Sequence, residues 1–189
     1  MSLSQAHEDP GETYPSGVSI GEFLHALQAK SLAAASEATR SSYPEHSALD
    51  AEEIDAFLEE CTYAVLATTR PDGRPHAAPV GYVPTDDRIW MASVAGAARL
   101  RNLNEQPEAT LVVMEGQGDE HVALIIEGTV RRHADPEPIL DDWLREAWMS
   151  RFGTELNWAG SLVELEPTKV LSYGHGRVLG RGGVLGLGR

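Results

Sequence analysis

The sequence predicts a mainly β protein, an antiparallel barrel of about six strands with flanking helices. Three observations carry this reading. Apolar and β-branched runs of strand length recur between residues 63 and 173, as half-buried strands require. Compact turn signals join the early runs, Arg70-Pro71-Asp72-Gly73 and Pro84-Thr85-Asp86-Asp87. Only one crossover helix falls among the strands, whereas a parallel sheet needs one for each βαβ unit.

The elements follow in order. Residues 1–18 carry Pro10, Gly11, Pro15 and Gly17 among polar neighbours, and read as a disordered lead. Ser19 and Glu22 form a capping-box pattern before a helix with Phe23, Leu24, Leu27 and Leu32 on one face. Residues 39–47, TRSSYPEHS, break it. Asp50 and Glu53 then cap a second helix bearing Ile54, Phe57, Leu58 and Cys61. Residues 19–60 are therefore expected to be a helical extension, and 61–173 the barrel.

Residues 63–69 and 75–83 make a hairpin across the PDG turn. Pro79 demands an edge or bulged position, because proline donates nothing to a ladder. A third strand over 88–93, a short helix over 97–104 and a fourth strand over 108–114 come next. Residues 121–132 form a long fifth strand with Gly128 as a bend. Pro136 and Pro138 open a helix to about residue 151, with Ile139, Leu140, Trp143, Leu144 and Trp148 apolar. A last strand spans 161–173, interrupted at Pro167. Residues 174–189 are glycine-rich and basic, and fit a flexible tail or an arm over a neighbouring subunit. Their glycines miss the dinucleotide spacing, since Leu179 and Leu185 stand where a third glycine belongs.

Bulk properties bound the function. A chain of 189 residues with 42% apolar content suits one domain with a substantial core. No run approaches the roughly 20 apolar residues of a membrane span, and the first residues lack the basic head and apolar core of an export signal. A cytoplasmic location is the expectation. Cys61 is the only cysteine, which fits a reducing compartment and a small buried residue at a helix end. The net charge of −14 argues against nucleic acid, which needs a cationic face.

The chemistry concentrates after the third strand. Arginine suits phosphate, having forked donors and a charge that does not titrate away. Arg99, Arg101 and Asn102 open a short helix whose free amides add an anion site. Ala95, Gly96, Ala97 and Ala98 leave room for close approach, and Ser93 adds a donor. This suits a phosphorylated planar cofactor of flavin type; solvated arginines paired with acids are the alternative. Among other groups, His121 and His133 are too far apart on one strand for a metal pair. Asp141 and Asp142 look solvated. Trp143, Trp148 and Trp158 suit core or dimer packing, or a roof over a substrate pocket.

The order of motifs resembles the pyridoxamine 5′-phosphate oxidase-like split-barrel flavoproteins. Its components are Ala67-Thr68, Asp72-Gly73-Arg74-Pro75, Pro79-Val80, Ser93, Arg99, Asn102-Leu103 and Pro107. IIEGTVRR over 125–132 and LVELEPTKVLSY over 162–173 are similar to the family's fifth and last strands. The resemblance covers roughly residues 50–173. It implies a homodimer of split β-barrels with FMN at the interface, and hydride transfer to or from a small organic substrate. It also implies that Arg99, with Ser93 beside it and Asn102 nearby, holds the cofactor phosphate. His76, Ala77, Ala78, Pro79 and Val80 would line the isoalloxazine edge, where His76 is the one titratable group. No catalytic residue is assigned, since the cofactor itself carries the hydride. Ala97 and Ala98 depart from the family pattern, in which a second basic or hydroxyl residue is common. Two alternatives follow: the deazaflavin coenzyme F-420 with a basic rim from Arg131, Arg132, Arg177 and Arg181, or a non-catalytic flavin- or haem-binding protein.

Overall fold

A computed structural model describes residues 17–117, 120–133 and 142–175. Most of the expected disordered lead, the first part of the helix expected from Pro136, Asp141, and the tail from residue 176 lie outside the described residues. Both capping boxes form. The Ser19 and Asp50 side chains accept from the amides of Glu22 and Glu53, whose carboxylates accept in return. They open helices α1 (Ile20–Ala34) and α3 (Ala51–Glu60). The segment expected to be a plain break instead holds a six-residue helix, α2 (Glu37–Ser42), and a 3₁₀ turn, Glu45–Ser47. Ser36 explains the difference, because its hydroxyl caps the Thr39 amide and restarts a helix that Pro44 then ends.

Six strands follow: β1 (Tyr63–Thr69), β2 (Pro75–Pro84), β3 (Ile89–Ser93), β4 (Glu108–Gln117), β5 (Glu120–His133) and β6 (Ser161–His175). Helix α4 (Ala98–Glu105) lies between β3 and β4, and α5 (Asp142–Phe152) between β5 and β6. All pairs are antiparallel, and the strands close into a barrel in the order β1-β2-β3-β6-β5-β4. The sixth strand runs two residues beyond its expected end, through Gly174 and His175. The register between β5 and β6 shifts at Glu127/Gly128, where Gly128 faces Pro167. A Cβ on Gly128 would lie 2.2 Å from the Glu166 carbonyl oxygen, so glycine is needed for the strands to meet.

Alternation along the strands fills the interior with Leu66, Tyr82, Met91, Leu111, Leu124, Ile126 and Leu165. The same cluster takes in Leu24, Ile54, Phe57 and Leu58 from α1 and α3, and Leu100 and Leu103 from α4. The helices thus stop the barrel at both ends. At one end, Gln28 donates to the Leu49 carbonyl and accepts from the Ser172 hydroxyl, while Ser31 accepts from the Val170 amide. Outside the wall, Trp148 and Leu144 of α5 pack with Val83, Trp90, Ala92 and Leu162 in a second cluster. Trp148 is therefore core, whereas Trp143 and Trp158 are exposed. No described helix is long and apolar enough to cross a membrane.

One arginine ties α5 to the end of α3. Its last carbonyls have no intrahelical donors, and Arg151 Nη2 donates to those of Leu58 and Cys61, at 2.5 and 2.8 Å. The Tyr82 hydroxyl faces the same two oxygens, and the guanidinium carbon sits 4.8 Å from the Tyr82 ring centroid. Burial pushes the Tyr82 phenol above its ordinary value, partly offset by the Arg151 charge. Replacing Arg151 by alanine leaves buried acceptors short of a donor, at an expected cost of about 2–3 kcal/mol. Urea unfolding measures it, and a change under about 0.5 kcal/mol would show the tie to be dispensable.

Candidate functional site

The barrel is closed unevenly. Strand β2 pairs with β1 from Pro75 to Gly81, but with β3 only from Tyr82 to Pro84. Continuing the Tyr82–Met91 register by two residues would set Val80 opposite Ser93, yet no ladder forms there. Pro79, paired with Val65 on one side, has no strand on the other among the described residues, as its missing N–H demands. The backbone of His76 to Val80 is therefore an unpaired edge beside the end of β3.

The chain leaves β3 at Ser93 through a turn closed by the Ala97 amide on the Val94 carbonyl. Gly96 takes φ 74° there, a left-handed value that favours glycine. Arg101 Nη1 donates to the Gly96 carbonyl at 3.0 Å, so this arginine fastens the turn. The turn also packs against Gly160, whose amide donates to the Ser93 carbonyl. A Cβ on Gly160 would lie 2.6 Å from the Ala95 nitrogen. No side chain caps α4 at Ala97; the Leu100 amide donates to the Ala97 carbonyl, which leaves those of Ala98 and Arg99 to an external acceptor.

Arg99 is the second residue of α4. Its Nε donates to Ser93 Oγ at 2.9 Å, and Ser93 is completely buried. Among the described residues no carboxylate pairs with Arg99, whereas Arg88, also partly buried, faces three and Arg151 one. Burial pulls the Arg99 guanidinium below its ordinary value, but arginine stays cationic at neutral pH. A half-buried cation held by a hydroxyl keeps its charge available for an anion.

Asn102, one turn on, is buried and donates through Nδ2 to Thr68 Oγ1 at 2.9 Å. Thr68 in turn lies 3.4 Å from His76 Nδ1. Asn102 thus locks α4 onto β1 and, through Thr68, reaches the open edge of β2. The structure brings Ser93, Arg99, Asn102 and the 76–80 edge to one end of the barrel. Three further residues belong to this end: Gly160, Ser161 and Arg132. Arg132 Nε and Nη2 lie 3.4 Å from Ser161 Oγ, and Nη1 donates to Asn104 Oδ1 at 3.1 Å. The sequence grouped Arg132 with Arg131 as a rim; strand alternation separates them, leaving Arg131 exposed. Gly160 and Ser161 carried no signal, because their contacts are with residues far along the chain, Ser93 and Ala95 for one and Ser93 and Arg132 for the other.

A family model described as pyridoxamine 5′-phosphate oxidase matches residues 50–172, from the start of α3 almost to the end of β6. The chain belongs to the pyridoxamine 5′-phosphate oxidase family. Solved structures of the same fold include a conserved hypothetical protein from Mycobacterium tuberculosis, with a TM-score of 0.61 and 20% identity, covering 75% of this chain and 97% of that one. The haem storage protein HutZ from Vibrio cholerae gives 0.55 at 19% identity, over 66% of this chain and 95% of its own. An FAD-binding protein from Mesorhizobium loti gives 0.53 at 20%, over 67% and 95%. At these identities the likeness is one of fold. No curated protein sequence matches the chain.

In this family member the turn at residues 94–97 depends on a missing side chain at Gly160. Gly160→Val is expected to displace the turn and destabilise the protein by about 1–3 kcal/mol. Hydrogen exchange should show protection lost first at the Ala97 and Leu100 amides. Unchanged exchange there would show that the turn does not rely on this contact.

Proposed function

We propose that the chain binds FMN at the open seam and uses it to move a hydride to or from a small organic molecule. The observation that carries this reading is Arg99. It is a partly buried cation that faces no carboxylate among the described residues, anchored on buried Ser93 beside an uncapped helix start. That donor set suits a phosphate. The free edge of β2 over His76, Ala77, Ala78, Pro79 and Val80, which pair only with β1, offers hydrogen bonds along one edge of the isoalloxazine. Asn102 fixes the helix that presents Arg99. When bound, the flavin supplies the hydride chemistry, and the protein's part is orientation, exclusion of water and hydrogen bonding.

The reading includes a cytoplasmic homodimer. Val65, Pro79, Val112 and Met114 share the outer face of β1, β2 and β4 by their register, and Val65 and Met114 are 38% and 65% exposed. No described helix covers them. A second copy laid on this face would wall in the seam and bury the apolar stripe.

Titration of FMN, F-420 and haem into the purified protein tests the cofactor. FMN is expected to bind at micromolar concentration or tighter, and Arg99→Ala to weaken it at least tenfold, as loss of a charge-assisted contact implies. Uptake of F-420 alone moves the chain to deazaflavin chemistry; uptake of haem alone makes it a haem-binding protein. Light scattering after size-exclusion chromatography tests assembly. A dimer is expected, with Val65→Glu shifting it towards monomer, and a wild-type monomer would overturn the interface.

A further inference from the structure

The end of the barrel holds a second guanidinium placed like the first. Ser93 ends β3 and Ser161 begins β6, and the two are direct partners across the ladder. Opposite residues of an antiparallel pair point to the same face, with Cβ atoms about 4.5–5.5 Å apart. Both serines are completely buried. Arg99 comes from α4 onto Ser93, and Arg132 comes from the end of β5 onto Ser161 and Asn104. Among the described residues neither guanidinium has a carboxylate partner. Two cations fastened to neighbouring hydroxyls can face a single anion from two sides.

The chemistry narrows the anion. A terminal phosphate monoester carries about −1.5 to −2 charges near pH 7, whereas a phosphate within a diester carries one. Ala97 and Ala98 put no side-chain donor on the α4 side of the site. Arg132 supplies from β5 a charge that the turn does not. We propose that Arg132, held by Ser161 and Asn104, is the second cation of the phosphate site, and that the Arg99–Arg132 pair selects a terminal phosphate monoester over an internal diester. The inference rests on the reading of Arg99 as a phosphate ligand. It favours FMN over F-420 and FAD, whose phosphates are bridged.

Flavin-fluorescence titration separates the two ideas, using FMN, FAD and riboflavin, which has no phosphate, with wild-type protein and the variants Arg99→Ala, Arg132→Ala and Arg132→Gln. Loss of Arg132 is expected to weaken FMN about ten- to hundredfold and to leave riboflavin unchanged. The wild-type preference for FMN over FAD should shrink by a similar factor. Arg132→Gln keeps a donor for Ser161 or Asn104 and loses the charge, so its matching loss excludes a folding defect; thermal melts of both variants verify this. If FMN binds both Arg132 variants within twofold of wild type while Arg99→Ala loses at least tenfold, the phosphate reading stands and the role of Arg132 falls. If wild type binds riboflavin as tightly as FMN, or binds neither, both fall together.

Discussion

The constraint on which this structure turns is the unequal pairing of β3. All five of its residues are bonded to β6, from Ile89 with Leu165 to Ser93 with Ser161. Its other edge meets β2 for only three residues. A strand held firmly on one side and released early on the other closes the barrel beside the turn that joins β2 to β3 and opens it at the opposite end. The release exposes backbone donors and acceptors of β2 where the chain turns into α4. An unpaired edge is ordinarily a liability that invites further strands. Here the exposed stretch is only a few residues long and contains Pro79, which limits what can be added to it.

Around that opening, hydroxyls and amides do the work that carboxylates do elsewhere on the molecule. Arg88 is neutralised by Asp87, Glu164 and Glu166, and Lys169 by Glu127. Arg99 and Arg132 are instead steered by Ser93, Ser161 and Asn104, which orient a guanidinium without cancelling it. In a chain of net charge −14, this leaves a local positive field in one partly buried place. The cost is desolvation, visible in the downward pull on Arg99. Native chains retain such a cost mainly at sites with a use for it.

Rigidity comes from the plugged ends. Because Leu24, Phe57 and Leu103 share one apolar cluster with the barrel interior, α1 and α3 are part of the same packed core as the strands. The polar ties at the far end, Gln28 with Ser172 and Arg151 with the α3 carbonyls, hold the helices without filling the seam. Asn102 and Thr68 perform the same service at the near end. On the proposed reading, a phosphate at Arg99 would meet a frame that needs little rearrangement on binding, which preserves affinity.

Much of this was legible in the chain. Both capping boxes, the Pro71-Asp72-Gly73 turn, the β-strands, the Gly128 irregularity and the edge position of Pro79 follow from local rules that hold whatever the surroundings. The order of motifs marked Ser93, Arg99 and Asn102 as neighbours, since they lie within ten residues of one another. Short-range chemistry also limited what the sequence could say: the helix at residues 37–42 depended on the single hydroxyl of Ser36, and Arg131 and Arg132 read alike until a strand turned them to opposite sides. What only the tertiary structure decided is the company these residues keep. Ser161, Arg132 and Gly160 reach the site through strand pairing and a close backbone approach between segments far apart in the chain. Such contacts are set by register and by the space left when a core closes, and no local pattern of side chains encodes either.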